Sequence, residues 1–267
     1  MPGISVIIPT RSRPDELRRC LSALAECVDE LEPHLAATLH EVVIVDDASA
    51  TPTVLGSAHG LPVTVLRNER PLGAGPSRAR GAAYASGDVL AFLDDDAVPR
   101  GDWLIVAGGV SPARPAITGR VLAFDDNLVA RSRQARYDAR YATVSAGDPV
   151  TFFAGGNSAI RSEVFHRCGG FTRTGTGGDN SIVDALRAMG QAVVFEPDLV
   201  IAHRNGKGWP RAVADSWYAG LNAPDRIGVT QAMRAVGASG LGAAPNVRLL
   251  NQALGLVHAV ASALPRS

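Results

Sequence analysis

The chain has 267 residues, 46% hydrophobic and 19% charged, with lysine plus arginine and aspartate plus glutamate balanced at 26 each. Such a chain can bury a full core as one large domain or two small ones, and its charge balance excludes the basic footprint of a nucleic-acid partner or a polybasic membrane patch. Cys20, Cys27 and Cys168 form neither a CxxC pair nor an even disulfide set, no signal-like segment opens the chain, and no run approaches the roughly 18 apolar residues of a membrane span, so a soluble, cytoplasmic protein with no transmembrane segment is expected.

Ile4-Ser5-Val6-Ile7-Ile8 reads as a buried strand stopped by Pro9 and followed by Thr10-Arg11-Ser12-Arg13. Pro14-Asp15-Glu16 opens a helix, with proline early and acids where the helix dipole favours them, and Leu17, Leu21, Leu24, Val28 and Leu31 recur at helical spacing. A second strand, Glu41 to Val45, ends in Asp46-Asp47, and Ala48 to Pro52 breaks the chain after it. A third, Pro62 to Leu66, leads through Arg67 to Arg70 into the glycine-rich turn Leu72 to Ser77, which starts a helix carrying Arg78 and Arg80. Val89 to Leu93 is a fourth strand, wholly apolar, delivering Asp94-Asp95-Asp96 together at its C-terminal end. This alternation predicts an α/β fold with a mostly parallel sheet, helices on both faces, and ligands at the C-terminal strand ends.

Beyond Pro99 the pattern loosens. Trp103 to Val110 reads as a short helix, Ala116 to Leu122 as a strand, and Asp125 to Tyr141 as a polar, arginine-rich stretch. Order returns with Val150 to Phe153, the turn Ala154-Gly155-Gly156-Asn157, and Ser158 to Ile160 leading to a helix through Val164 and Phe165. Gly169 to Gly178 holds five glycines in ten residues, too much backbone entropy for regular structure, and is expected to be a mobile active-site loop. Asp179 ends that loop, and Asn180 or Ser181 is placed to cap a helix from Ile182 to Met189. Two short strands, Ala192 to Phe195 and Leu199 to Ala202, then set His203 at a strand end. From Pro210 onward the chain reads as helices, with Asn246 to Leu264 amphipathic through Val247, Leu250, Leu254, Val257 and Ala261 and suited to packing or to a dimer contact.

Three adjacent carboxylates repel one another and become tolerable when a divalent cation sits among them, which makes Asp94 to Asp96 the focus of any chemistry. Gly73-Ala74-Gly75-Pro76-Ser77-Arg78 has part of a dinucleotide fingerprint, but Arg78 stands where the third glycine belongs and a strand-helix-strand unit already precedes it. No GxxxxGK[ST] occurs, which excludes a P-loop enzyme.

Taken in order, Pro9-Thr10-Arg11, Asp46-Asp47-Ala48-Ser49, the glycine-rich turn with arginines, Leu93-Asp94-Asp95-Asp96, Gly155-Gly156-Asn157, Gly169-Gly170-Phe171, Gly178-Asp179 and His203 resemble the family 2 glycosyltransferases of the GT-A fold, over roughly residues 4–205. The resemblance implies a Rossmann-like nucleotide-binding sheet within a core at 1–205, its nucleotide-sugar half at about 1–100 and its acceptor half at about 101–205, with a C-terminal helical extension at 206–267. It implies that Pro9, Thr10, Arg11 and Asp47 hold the nucleoside, that Arg78, Asp94 and Asp95 contact the nucleotide sugar, and that Arg80 is the rival of Arg78. Asp94 and Asp96 match the DxD motif that, with His203, would bind Mg²⁺ or Mn²⁺, while Gly155, Gly156 and Asn157 fall to the acceptor. The implied partners are a nucleoside-diphosphate sugar, UDP-sugar favoured, and a small-molecule or glycan acceptor, with no nucleic acid and with a homodimer contact through the C-terminal helices.

The implied reaction is one direct displacement, which inverts the anomeric carbon, with Asp179 as general base. A helix N-terminus behind Asp179 is expected to lower its pKa and keep it ionised. The chain departs from the family where Gly178 replaces a glutamate, Ser181 an acid and Ala185 an arginine, and Asp184 is a competing carboxylate. Those departures leave open a sugar-nucleotide-binding protein that has lost catalysis, with a dinucleotide oxidoreductase as the more distant alternative.

Overall fold

A computed structural model describes residues 2–56, 58–171, 178–204, 208–221 and 243–263. They group into two compact units, 1–120 with 144–202 and 121–143 with 203–267, so the stretch 121–143 groups with the C-terminal helices instead of following the linear order.

The first unit opens with β1 (Ile4–Thr10), α1 (Pro14–Asp29), α2 (Pro33–Ala36), β2 (Leu39–Asp46), β3 (Val63–Arg67), α3 (Ala74–Tyr84) and β4 (Val89–Leu93). The order across the sheet is β3-β2-β1-β4, with every neighbouring pair parallel. All seven residues of β1 and all five of β4 are buried, as continuous apolar runs in a sheet covered on both faces should be. Helix α3 lies so close to the sheet that a Cβ on Gly81 would collide with Ile7. Because the four strands run the same way, their C-terminal ends bring Thr10, Asp46 and Asp94 to one edge.

The second half of the sheet is built differently. After β5 (Ala97–Pro99), α4 (Trp103–Ala107), β6 (Ala116–Ala123) and β7 (Pro149–Val150), strand β8 (Asn157–Arg161) runs antiparallel to both β4 and β6. The parallel arrangement read from the sequence therefore holds for the first four strands and gives way beyond β4. Next come α6 (Ser162–Arg167), a 3₁₀ turn (Gly178–Asn180), α7 (Ser181–Ala188) and β9 (Val193–His203). The two short strands expected near the end are one, with Pro197 inside it, past the two residues that pair with β7.

In the second unit, the polar stretch after Asp125 contains α5 (Leu128–Tyr141), whose N-terminus is capped by the Asn127 side chain accepting from the Ala130 N–H at 3.0 Å. With α8 (Trp209–Leu221) and α9 (Pro245–Ala263) it forms a small core of Val129, Ala212, Leu250 and Leu254. The division between units falls within β9, after Ala202, so His203 is the last residue of a strand that otherwise belongs to the first unit. Among the described residues, no helix is long and apolar enough to cross a membrane.

Candidate active site

At the end of β4 the three acids do not share one fate. Asp95 is buried at 4% exposure, where its Oδ2 accepts from the Thr10 hydroxyl at 2.8 Å and its Oδ1 from Arg13 Nη1 at 3.0 Å. Burial pushes its carboxyl up to about 6 despite the opposing pull of Arg13 and Thr10. The same Arg13 nitrogen donates to Asp96 Oδ2 at 3.2 Å, so one guanidinium bridges neighbouring carboxylates. Asp94 accepts from Arg78 Nη2 at 2.5 Å. Asp95, expected against the nucleotide sugar, is thus engaged by protein groups, and Arg13, to which no role was assigned, holds two of the acids. Its place one residue before the helix-opening Pro14 was the available signal.

Asp94, Asp96 and His203 each offer one ligand atom, all lying within 4.8 Å of one another. Ligands at 2.0–2.1 Å from an octahedral ion are about 3 Å apart when adjacent and about 4 Å when opposite, so the three form a group compact enough to close on one cation with a small inward shift of the side chains. Two carboxylates suit Mg²⁺ or Mn²⁺, and the imidazole nitrogen is better matched to Mn²⁺.

Asp179 lies in the 3₁₀ turn before α7 and accepts from Arg78 Nη1 at 3.0 Å. Burial raises its pKa, Arg78 opposes the rise, and the nearby Asp94 charge adds to it. The expected lowering by a helix N-terminus is overridden by this desolvation. Asn180 does not cap α7 with its side chain; its Oδ1 accepts from the Phe153 N–H at 3.1 Å and ties the turn to the chain before Gly155. Asp184 sits on the exposed face of α7.

The Gly155-Gly156 turn runs directly against these acids. A Cβ on Gly155 would collide with the Asp179 carboxylate and the Arg78 guanidinium, and one on Gly156 with the Asp94 carboxylate. These glycines are needed for close approach. Asn157 has a different task from the acceptor contact expected of it: it is fully buried, accepts from Trp103 Nε1 at 2.9 Å, and donates to the carbonyls of Arg120 and Leu199. Both amide hydrogens and its oxygen are committed to the framework.

At the end of β1, where the nucleoside was expected, Pro9 and Thr10 are buried and Arg11 is exposed. Asp47 accepts from Asn68 Nδ2 and the Leu72 N–H through one oxygen and from the Gly73 N–H through the other, each at 2.8 Å, and so shapes the turn before α3. Arg80, the rival arginine, instead donates to Asn68 Oδ1 and the Arg67 carbonyl. A cleft of about 590 Å³ opens beside the loops after β1 and β2, with Ser12, Arg13, Pro14, Ser49, Thr53 and His59 among its walls.

Part of the glycine-rich segment is anchored. Gly169 and Gly170 adopt the left-handed backbone, and Phe171 packs on Phe92, Phe165 and Phe153 at ring-centroid distances of 5.1, 5.3 and 6.1 Å. Residues 169–171 are therefore not the start of a mobile loop, and residues 172–177 lie outside those described.

The profile described as Glycosyl transferase family 2 matches residues 5–169. A pre-mycofactocin glycosyltransferase of Mycobacterium tuberculosis is 26% identical over 214 residues, covering 75% of this chain and 42% of that protein. The chain spans 29% and 42% of the first two curated relatives it matches. A mannosyltransferase from Pyrobaculum calidifontis, solved with GDP-Man and Mn²⁺, superposes with a TM-score of 0.64 at 20% identity, covering 98% of this chain and 87% of that one. Glucosyl-3-phosphoglycerate synthase of Mycobacterium tuberculosis, solved with Mn²⁺, UDP and phosphoglyceric acid, gives 0.53 at 20% identity over 76% and 71% of the two chains. The fold is that of the GT-A glycosyltransferases.

Proposed function

The chain belongs to glycosyl transferase family 2, and from that premise we propose that it moves a sugar from a nucleoside-diphosphate sugar to an acceptor hydroxyl, using Mg²⁺ or Mn²⁺ and inverting the anomeric carbon. The observation that carries this reading is the grouping of Asp94, Asp96 and His203 within 4.8 Å, with Asp179 joined to Asp94 through Arg78. Bound there, a divalent cation would act as a Lewis acid on the charge developing at the departing diphosphate. Asp179, partly buried and with a raised pKa, takes the proton of the attacking hydroxyl. Gly155 and Gly156 let the backbone approach these groups more closely than any side chain would allow.

The cleft walled by Ser12, Arg13 and Ser49 supports a nucleoside beside the loops after β1 and β2, with a UDP-sugar the favoured donor. The acceptor is a hydroxyl-bearing small molecule or glycan. We keep the division into a nucleotide-sugar half at about 1–100, an acceptor half at about 101–205 and a helical extension, with Leu249, Leu256 and Val260 exposed on α9 as the surface of a homodimer contact. The replacements at Gly178, Ser181 and Ala185 favour a second reading, a binding protein without turnover.

The test is a panel of UDP- and GDP-sugars in a thermal-shift assay with Mn²⁺ or with EDTA, followed by nucleotide release from whichever donor binds. Metal-dependent stabilisation with release supports the enzyme; metal-dependent stabilisation without release supports the binding protein; equal stabilisation in EDTA overturns the metal site.

A further inference from the structure

Resting on that reading of Asp94 and Asp179, we propose that Arg78 is a positioning residue that couples occupancy of the cation site to the placement of the base. Arg78 projects from α3 and is only 5% exposed. Its two terminal nitrogens fork between acids from distant parts of the chain, Nη2 to Asp94 at 2.5 Å and Nη1 to Asp179 at 3.0 Å. Its Nε is buried with no hydrogen-bond partner among the described residues, and the two carboxylates orient the guanidinium. The Gly155 backbone packs against both Arg78 and Asp179, leaving little room for either to swing aside.

One positive charge is therefore shared between an acid that would ligate the cation and an acid that would take the proton. A cation drawn to the Asp94 carboxylate competes with the guanidinium for it, and what Arg78 loses there it gives to Asp179. The coupling is reciprocal by thermodynamic necessity. An Asp179 without charge surrenders Arg78 wholly to Asp94, and the cation must then displace a stronger ion pair. A lysine cannot substitute, because a single ammonium lacks the planar fork that spans two carboxylates.

The experiment measures Mn²⁺ affinity of the donor-free protein by the electron paramagnetic resonance signal of free Mn²⁺. Asp179→Asn should weaken Mn²⁺ binding about fivefold, the lower end of typical site-to-site coupling, although Asp179 is not among the three ligands. In an Arg78→Gln or Arg78→Lys background the same substitution should have no effect. Unchanged affinity in Asp179→Asn, or a loss that survives in both Arg78 backgrounds, overturns the coupling, the second outcome meaning plain charge removal. If the wild type takes up no Mn²⁺, the metal reading fails by itself. The coupling is then read in metal-free melting, where Asp94→Asn and Asp179→Asn should be non-additive with Arg78 present and additive in Arg78→Lys. Additivity in both backgrounds overturns it.

Discussion

Two acidic clusters stand at C-terminal strand ends within the parallel half of the sheet, Asp46-Asp47 at the end of β2 and Asp94-Asp95-Asp96 after β4, and they are held in opposite ways. The first is closed by groups of its own loops. Asp46 accepts from the backbone N–H groups of Ser49 and Thr53 and from Arg67, and Asp47 from Asn68, Leu72 and Gly73. The second receives most of its compensation from two long, charged side chains, Arg13 and Arg78, each shared between two acids. Backbone donors cannot leave without unmaking the loop, whereas a shared guanidinium yields to a competing cation. Carboxylates alike in sequence thus differ in what neutralises them, mostly loop donors at β2 and shared arginines after β4.

The comparison breaks most visibly at the base. Asp179→Asn should lower kcat by roughly two to four orders of magnitude, the range for loss of a general base, with donor affinity nearly unchanged at saturating Mn²⁺. Its melting temperature should stay near that of the wild type, because the arginine it frees keeps Asp94 as a partner. If Asp179→Asn remains active while Asp184→Asn fails, the base is the exposed acid of α7.

A smaller effect separates members of the second cluster. Asp96→Asn should abolish the stabilisation by Mn²⁺ plus donor, about 2.7 kcal/mol at a ligand concentration a hundred times its dissociation constant. Asp95→Asn should retain most of it, because the Asp95 oxygens are turned to Thr10 and Arg13. Equal losses in calorimetric melting would place Asp95 among the ligands and erase the distinction.

Strands β1, β2 and β4 were legible because largely buried strands read as short apolar runs whatever surrounds them, and the acids at the ends of β2 and β4 could be placed with them. The antiparallel half was harder, since pairing direction leaves no trace in a five-residue strand such as β8. Helix α5 was hidden because few of its residues are buried, Val129, Ala130 and Ser132 among them, so its sequence is polar almost all round. At the site, residue types were legible and partners were not. Asn157 looked like a ligand contact in its glycine turn, yet its bonds to Trp103, Arg120 and Leu199 depend on long-range packing. The same holds for Arg13, whose two acids arrive from the far end of β4.

The smallest effect lies in the pH dependence of stability, where the two clusters should differ in sign. Burial would raise the Asp46 carboxyl, but hydrogen bonds from Ser49, Thr53 and Arg67 outweigh it and bring the pKa to about 2. A pKa below the unfolded value of about 3.9 contributes stability that is complete above that value and lost as the pH falls toward 2, here about 2.6 kcal/mol. Asp46→Asn should therefore be destabilised by about that amount at neutral pH, and the gap to the wild type should close between about pH 4 and pH 2. Asp95, raised to about 6 by burial, runs the other way: its protonated form favours the fold, and that contribution is lost as the pH rises from about 4 through 6 in the metal-free protein. Asp95→Asn should flatten stability across that window while Asp46→Asn leaves it untouched. Denaturant melts from pH 2 to pH 7 measure both slopes, and a common sign for the two aspartates would mean that the clusters are not held in opposite ways.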